Sequence, residues 1–142
     1  MNAYEEFMKN VHRPMREQLV VNGFTELTTV EEVEQKMDGL EGSAIIMINS
    51  VCGCAGGQAR PAVIEAVAET TNAPDHLLTV FASADREATA RMREFFAEVP
   101  PSSPSIAIWK DGKLAHFIPR DEIELNEKDT VKDRLVEVLN DL

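Results

Sequence analysis

Apolar residues follow two rhythms along this chain. Ala44 to Ile48 (AIIMI) is an unbroken apolar run, and Leu77 to Ala82 (LLTVFA) is a second, nearly unbroken one. Runs this short and this rich in Ile, Leu and Val predict strands buried on both faces of a sheet. Elsewhere the spacing is helical. Ala59, Ala62, Val63, Ala66 and Val67 predict a helix over about 57–71. Ala88, Met92, Phe95 and Phe96 predict another, with Asp85 as its cap, and Val131, Leu135, Val138 and Leu139 predict a last one over about 129–141.

Shorter signals fill the gaps. Residues 2–9 and 14–22 read as two helical pieces, with Pro14 in the first turn of the second and Gly23 ending it. Phe24 to Leu27 alternates like a short strand. Thr29 with Glu32 forms a capping-box pattern for a helix ending near Gly39. VPPSSPS interrupts regular structure. Ile106 to Trp109 and Leu114 to Ile118 then read as a hairpin across Asp111-Gly112. The predicted order is βαβαβαββα behind two helical pieces. It implies an α/β fold, a largely parallel sheet flanked by helices with an antiparallel hairpin at its edge. The expectation is one domain, 1–142, with 1–23 as an N-terminal helical extension.

Both cysteines of the chain fall in NSVCGCAGGQARP, just past the first buried run. In open α/β sheets, sites gather at carboxyl ends of strands. A thiol there, leading into a helix, would feel the partial positive charge of exposed N–H groups, which favours the thiolate. Cys52 would leave the strand first and be the more exposed sulfur. Cys54 would be close enough to attack a mixed disulfide at Cys52. A Cys-Gly-Cys ring holds a disulfide torsion near about 90° only with strain. Such a pair works as a weak reductant, or through a mixed disulfide with a small thiol. Two other uses fit the same residues. The cysteines can be small buried hydrophobes, with Gly56 and Gly57 forming a turn, or part of a metal site. Zinc takes about four ligands, and His12, His76 and His116 are far off in sequence, so no metal ligands are assigned. Each histidine alone reads as a surface or satisfied residue.

Composition narrows the classes. The 142 residues are 44% hydrophobic and 27% charged, as in ordinary globular proteins. Fourteen basic against 25 acidic residues give a net charge of -11, which speaks against a nucleic-acid partner. No apolar run approaches the ~20 residues of a membrane span, and MNAYEEFMKNVHRP lacks the apolar centre of a secretory signal. The expected location is the cytoplasm, where thiols stay reduced.

With its cysteines at the start of the second main helix, the order resembles the thioredoxin fold, which implies a central mixed β-sheet flanked by helices. The resemblance implies a cis proline before the next-to-last strand, facing the active cysteine; Pro104, in Ser103-Pro104-Ser105-Ile106, holds that place. Ordinary thioredoxins carry Cys-x-x-Cys, often after Trp, whereas here Ala55 takes the fourth position and Val51 precedes the motif. More specifically, RPMREQLVVNGFTEL, NSVCGCAGGQARPA and PPSSPSIAIWKDG resemble the bacilliredoxins, small bacterial thioredoxin-like proteins with a CGC motif. That resemblance implies removal of bacillithiol from S-bacillithiolated proteins, with weak disulfide isomerase activity alongside. Cys52 would be the nucleophile and Cys54 the resolving thiol. Gly53, Ser103, Pro104 and Arg60 would be substrate-binding candidates. Arg60 is the nearest cation for the malate carboxylates of bacillithiol, or else a solvated helix residue. Bacillithiol enters as a co-substrate, with no tightly bound cofactor. The alternatives are a general disulfide isomerase or reductase, and a non-enzymatic thioredoxin-like binding module.

Overall fold

The structure is a computed structural model that describes residues 2–51 and 53–142, with the side chains at 53 and 54 left aside. Helix α1 spans Ala3–Val20, β1 Thr25–Glu26, α2 Val30–Met37 and β2 Ser43–Asn49. Next come α3 (Gly53–Glu69), β3 (His76–Phe81), α4 (Arg86–Glu94), β4 (Ser105–Lys110), β5 (Lys113–Ile118), α5 (Arg120–Glu124) and α6 (Lys128–Asn140).

The strands form a five-stranded sheet in the order β1-β3-β2-β4-β5. β1 and β2 both run parallel to β3, while β4 lies antiparallel to β2 and to β5. The antiparallel hairpin of β4 and β5 joins the sheet through β4, beside the central strand β2, as the mixed sheet of the thioredoxin-like fold requires. The chain leaving α4 crosses to the far side of β2 and enters β4 from the opposite end. The sheet is mixed.

Every residue of β2 is buried, as an unbroken apolar run between two helical layers requires. Ile45 and Met47 face a core shared with Ala59, Val63, Leu135 and Leu139 of α3 and α6. Ile46 and Ile48 face the opposite core, with Val33, Met37 and Met92 of α2 and α4. The β4–β5 turn matches its Asp-Gly signal: Asp111 and Gly112 have φ of 46° and 83°, the paired left-handed values of a two-residue hairpin. Thr29 and Glu32 make both bonds of the capping box.

Several boundaries differ from the pattern reading. The two N-terminal pieces are one helix, α1, with Pro14 inside it. A proline within a helix removes one backbone bond, and here the flanking residues keep the helix going. α3 begins at Gly53 rather than 57, because Gly56 and Gly57 are helical residues and not a turn. A Cβ at Gly56 would sit 2.9 Å from the Ser50 carbonyl, so the glycine serves close approach. Asp85 occupies the N-cap of α4 without capping it; its carboxylate accepts from Arg16 Nη1 at 2.8 Å instead. α5, one turn with the single buried apolar residue Ile123, is too short to show a period. Among the described residues, no helix is long and apolar enough to cross a membrane.

Candidate thiol site at the carboxyl end of the sheet

Hydrogen-bond register assembles the site. Ser105 of β4 pairs with Ile48 of β2, and the two strands run in opposite directions. The chain leaving β2 at Ser50 and the chain entering β4 at Pro104 therefore emerge side by side, 54 residues apart in sequence. The Ser103–Pro104 peptide is cis and Pro104 is buried.

The β2 exit is held from three directions. From β3, Ala82 N donates to the Asn49 carbonyl at 2.9 Å, and Val51 N donates to Ser83 Oγ at 3.3 Å. From α1, the Met15 carbonyl accepts Asn49 Nδ2 at 3.2 Å. From α3, Arg60 Nη1 donates to Asn49 Oδ1 at 3.1 Å and to the Ser50 carbonyl at 2.8 Å. Asn49 Oδ1 also accepts Ser50 N at 2.9 Å. A buried Asn at a strand end thus has both polar atoms of its side chain bonded, consistent with the cost of leaving such a group unpaired.

The proline loop is held from α4 and α5. Arg93 Nη2 and Ser105 Oγ donate to the Ser102 carbonyl, at 3.1 and 2.8 Å. Arg120 N donates to Ser102 Oγ at 3.2 Å, and Arg120 Nη1 donates to the Ser103 carbonyl at 3.3 Å. The Arg120 guanidinium also grips Glu124 on its own helix. Gln58 Nε2 donates to the Ile123 carbonyl at 3.1 Å, which ties α5 to α3. A cleft of about 610 Å³ opens beside this loop, lined by Pro100, Pro101, Phe117, Pro119 and Arg120.

Of the residues singled out in the sequence, Cys52 lies outside the described residues, as does the Cys54 side chain. Gly53 begins α3, and Cys54 is in its first turn. That turn carries no acidic residue, so no carboxylate of its own offsets the positive end of the helix dipole. Arg60 is not a solvated helix residue. It is 7% exposed, and its guanidinium points inward. The sequence reading did not find Asn49, Gln58, Ser102 or Arg120. Asn49 had a signal, a polar residue closing an apolar run; Arg120 had none beyond its place after a proline.

His12 is neither the surface nor the satisfied residue expected of it. It is buried against Phe81, with ring centroids 4.8 Å apart, and its Nε2 has no hydrogen-bond partner among the described residues. Burial, and then the nearby Arg16 charge, hold its pKa below the ordinary 6.5, with Asp85 opposing. The unfolded imidazole therefore binds a proton before the folded one does. His12's contribution to stability is complete above about pH 6.5 and is lost as pH falls below it. His116, whose burial and neighbour Arg134 push the same way, adds to the effect. The urea midpoint should fall between about pH 7.5 and about pH 5.5, and His12→Gln should flatten that fall. An unchanged slope in the variant would remove His12 as a cause.

Comparison with known proteins agrees with this geometry. A family model described as disulphide isomerase matches residues 7–142. A bacilliredoxin of Geobacillus kaustophilus is 52% identical over 134 residues, covering 94% of this chain and 92% of that protein. A bacilliredoxin of Halalkalibacterium halodurans is 52% identical over 138 residues, covering 97% and 95%. Among solved structures, oxidized mitochondrial thioredoxin 3 of Saccharomyces cerevisiae superposes with a TM-score of 0.57 at 18% identity, over 84% of this chain and 95% of that one. At that identity the likeness concerns the fold, which is thioredoxin-like. The family model over residues 7–142 and relatives 52% identical over nearly their whole length show that this chain belongs to the bacilliredoxin family of thiol–disulfide oxidoreductases.

Proposed function

We propose that this protein removes bacillithiol from S-bacillithiolated proteins in the cytoplasm. The observation that carries the reading is its identity, over nearly the whole chain, to proteins named bacilliredoxins. The Cys52 thiolate attacks the bacillithiol sulfur of the mixed disulfide. A Cys52–bacillithiol disulfide forms, and the substrate cysteine leaves as its thiolate and takes up a proton. Cys54 then attacks the Cys52 sulfur, releasing bacillithiol and leaving a Cys52–Cys54 disulfide that an external thiol reductant returns to dithiol. A second bacillithiol can instead attack the bacillithiol sulfur of the mixed disulfide, leaving as bacillithiol disulfide and freeing the Cys52 thiolate. Bacillithiol is a co-substrate in this scheme and not a resident group.

Gly53, Ser103 and Pro104 would offer backbone groups to the substrate beside the thiol. Arg60 is placed differently from the expectation drawn for it. Buried and turned inward, it is not free to meet a carboxylate arriving from solvent.

The test compares one protein carrying bacillithiol with the same protein carrying glutathione. Faster release of bacillithiol is expected, because the two adducts differ only in the small thiol. Equal rates would remove the case for bacillithiol and favour a general reductase or isomerase, the activity that the matching family model is named for.

A further inference from the structure

Arg60 carries a buried charge whose partners among the described residues are neutral. Nε donates to Gln18 Oε1 of α1 at 3.1 Å, and Nη1 donates to Asn49 Oδ1 and the Ser50 carbonyl. Burial is what acts on its ionisation, with no carboxylate raising it. A guanidinium stays protonated in such a place, so the positive charge persists with no counter-ion among the described residues. Two other arginines at this end of the sheet are matched by carboxylates, Arg16 by Glu26 and Asp85 and Arg120 by Glu124, whereas Arg93, on the proline-loop side, donates to the Ser102 carbonyl.

The location of the charge is fixed by Gly56, the fourth residue of α3. A Cβ there would stand 3.2 Å from Arg60 Nη1 and 2.9 Å from the Ser50 carbonyl. The guanidinium therefore lies against the first turn of α3 and grips a carbonyl two residues before Cys52.

We propose that Arg60 is a positioning residue of the thiol site: it ties the Ser50 carbonyl to α1 and keeps a positive charge beside the first turn of α3, where it favours the thiolate. This rests on Cys52 being the nucleophile. The charge adds to the helix dipole, and the two effects have the same sign for an anion at that turn. The fork geometry of arginine matters as well. Nε and Nη1 reach acceptors on different elements at once, which a lysine ammonium on its single stem does less well. A bare positive charge would hold the thiolate without holding the turn.

The experiment follows iodoacetamide alkylation across pH in the full chain, with the modified cysteine identified by peptide mass spectrometry. Arg60→Gln should slow Cys52 alkylation near neutral pH by about tenfold and displace the profile to higher pH, with the same plateau in alkali. Arg60→Lys should fall between the variant and the wild type. A profile that superimposes on the wild type overturns the proposal. So does an equal loss of plateau rate in both variants without displacement, which is what a merely structural role would give. If Arg60→Gln does not fold, Gly56→Ala decides. It keeps the charge but forces Nη1 and the Ser50 carbonyl apart, and it should displace the profile in the same direction by less. No displacement there overturns the proposal. A wild type that reacts first at Cys54 overturns the nucleophile assignment instead, whereas a reactive Cys52 indifferent to Arg60 overturns this proposal alone.

Discussion

Cys52→Ala should lose de-bacillithiolation altogether, by a thousandfold or more on the order-of-magnitude scale of a deleted nucleophile. Cys54→Ala should behave otherwise. Transfer of the small thiol needs one thiolate, so this variant should free one equivalent of substrate and stop, holding bacillithiol on Cys52. Intact-mass measurement reads the trapped adduct, and substrate release reads the single turnover. Added bacillithiol should restart it by serving as the second thiol. Full activity in Cys52→Ala would overturn the mechanism. A Cys54→Ala protein that neither turns over once nor carries the adduct would show that the two sulfurs act together from the first step.

The second large effect concerns stability. Ile45 sits on β2 with no exposed surface, facing the core that α3 and α6 close. Ile45→Ala should lower unfolding free energy by about 2–5 kcal/mol, because the removed methyl groups leave a cavity that rigid neighbours cannot fill. Ile45→Val should cost only about 0.5–1.5 kcal/mol. Urea unfolding followed by circular dichroism gives both. A loss under about 1 kcal/mol in Ile45→Ala would mean that the layer between β2 and α3 is loosely packed.

The sequence announced these elements unevenly, for physical reasons. β2 was readable because burial on both faces leaves no polar position to blur the run. The capping box of α2 was readable because its bonds are local, between residues three apart. α5 was not, since one turn has no period. The direction of β4 was not either, because strand direction depends on where a long connection lands. The role of Arg60 was hidden for a related reason. Helical spacing places it on α3, but its acceptors Gln18, Asn49 and Ser50 come from α1 and the end of β2, and only the assembled fold brings them together. The cysteine motif itself stood out from its rarity and its place after AIIMI.

The antiparallel pairing of β2 with β4 has a consequence for precision. A ladder can slip only by whole residues, about 3.3 Å each, and every odd slip turns a strand over. On β4, Ile106 and Ile108 face one core while Ala107 and Trp109 face the other. A slip of one would push the indole of Trp109 into space shaped for isoleucine. The gap between the thiol turn and the proline loop is thus graduated like a vernier, and the side chains of β4 lock its setting. The ladder irregularity between Ile108 and Trp109 belongs to the pairing of β4 with β5, and the β2–β4 register runs unbroken from Ser43–Lys110 to Ile48–Ser105. Residues that never meet a substrate act as the calibration of the site, and drift in their sizes would be felt there first as misalignment.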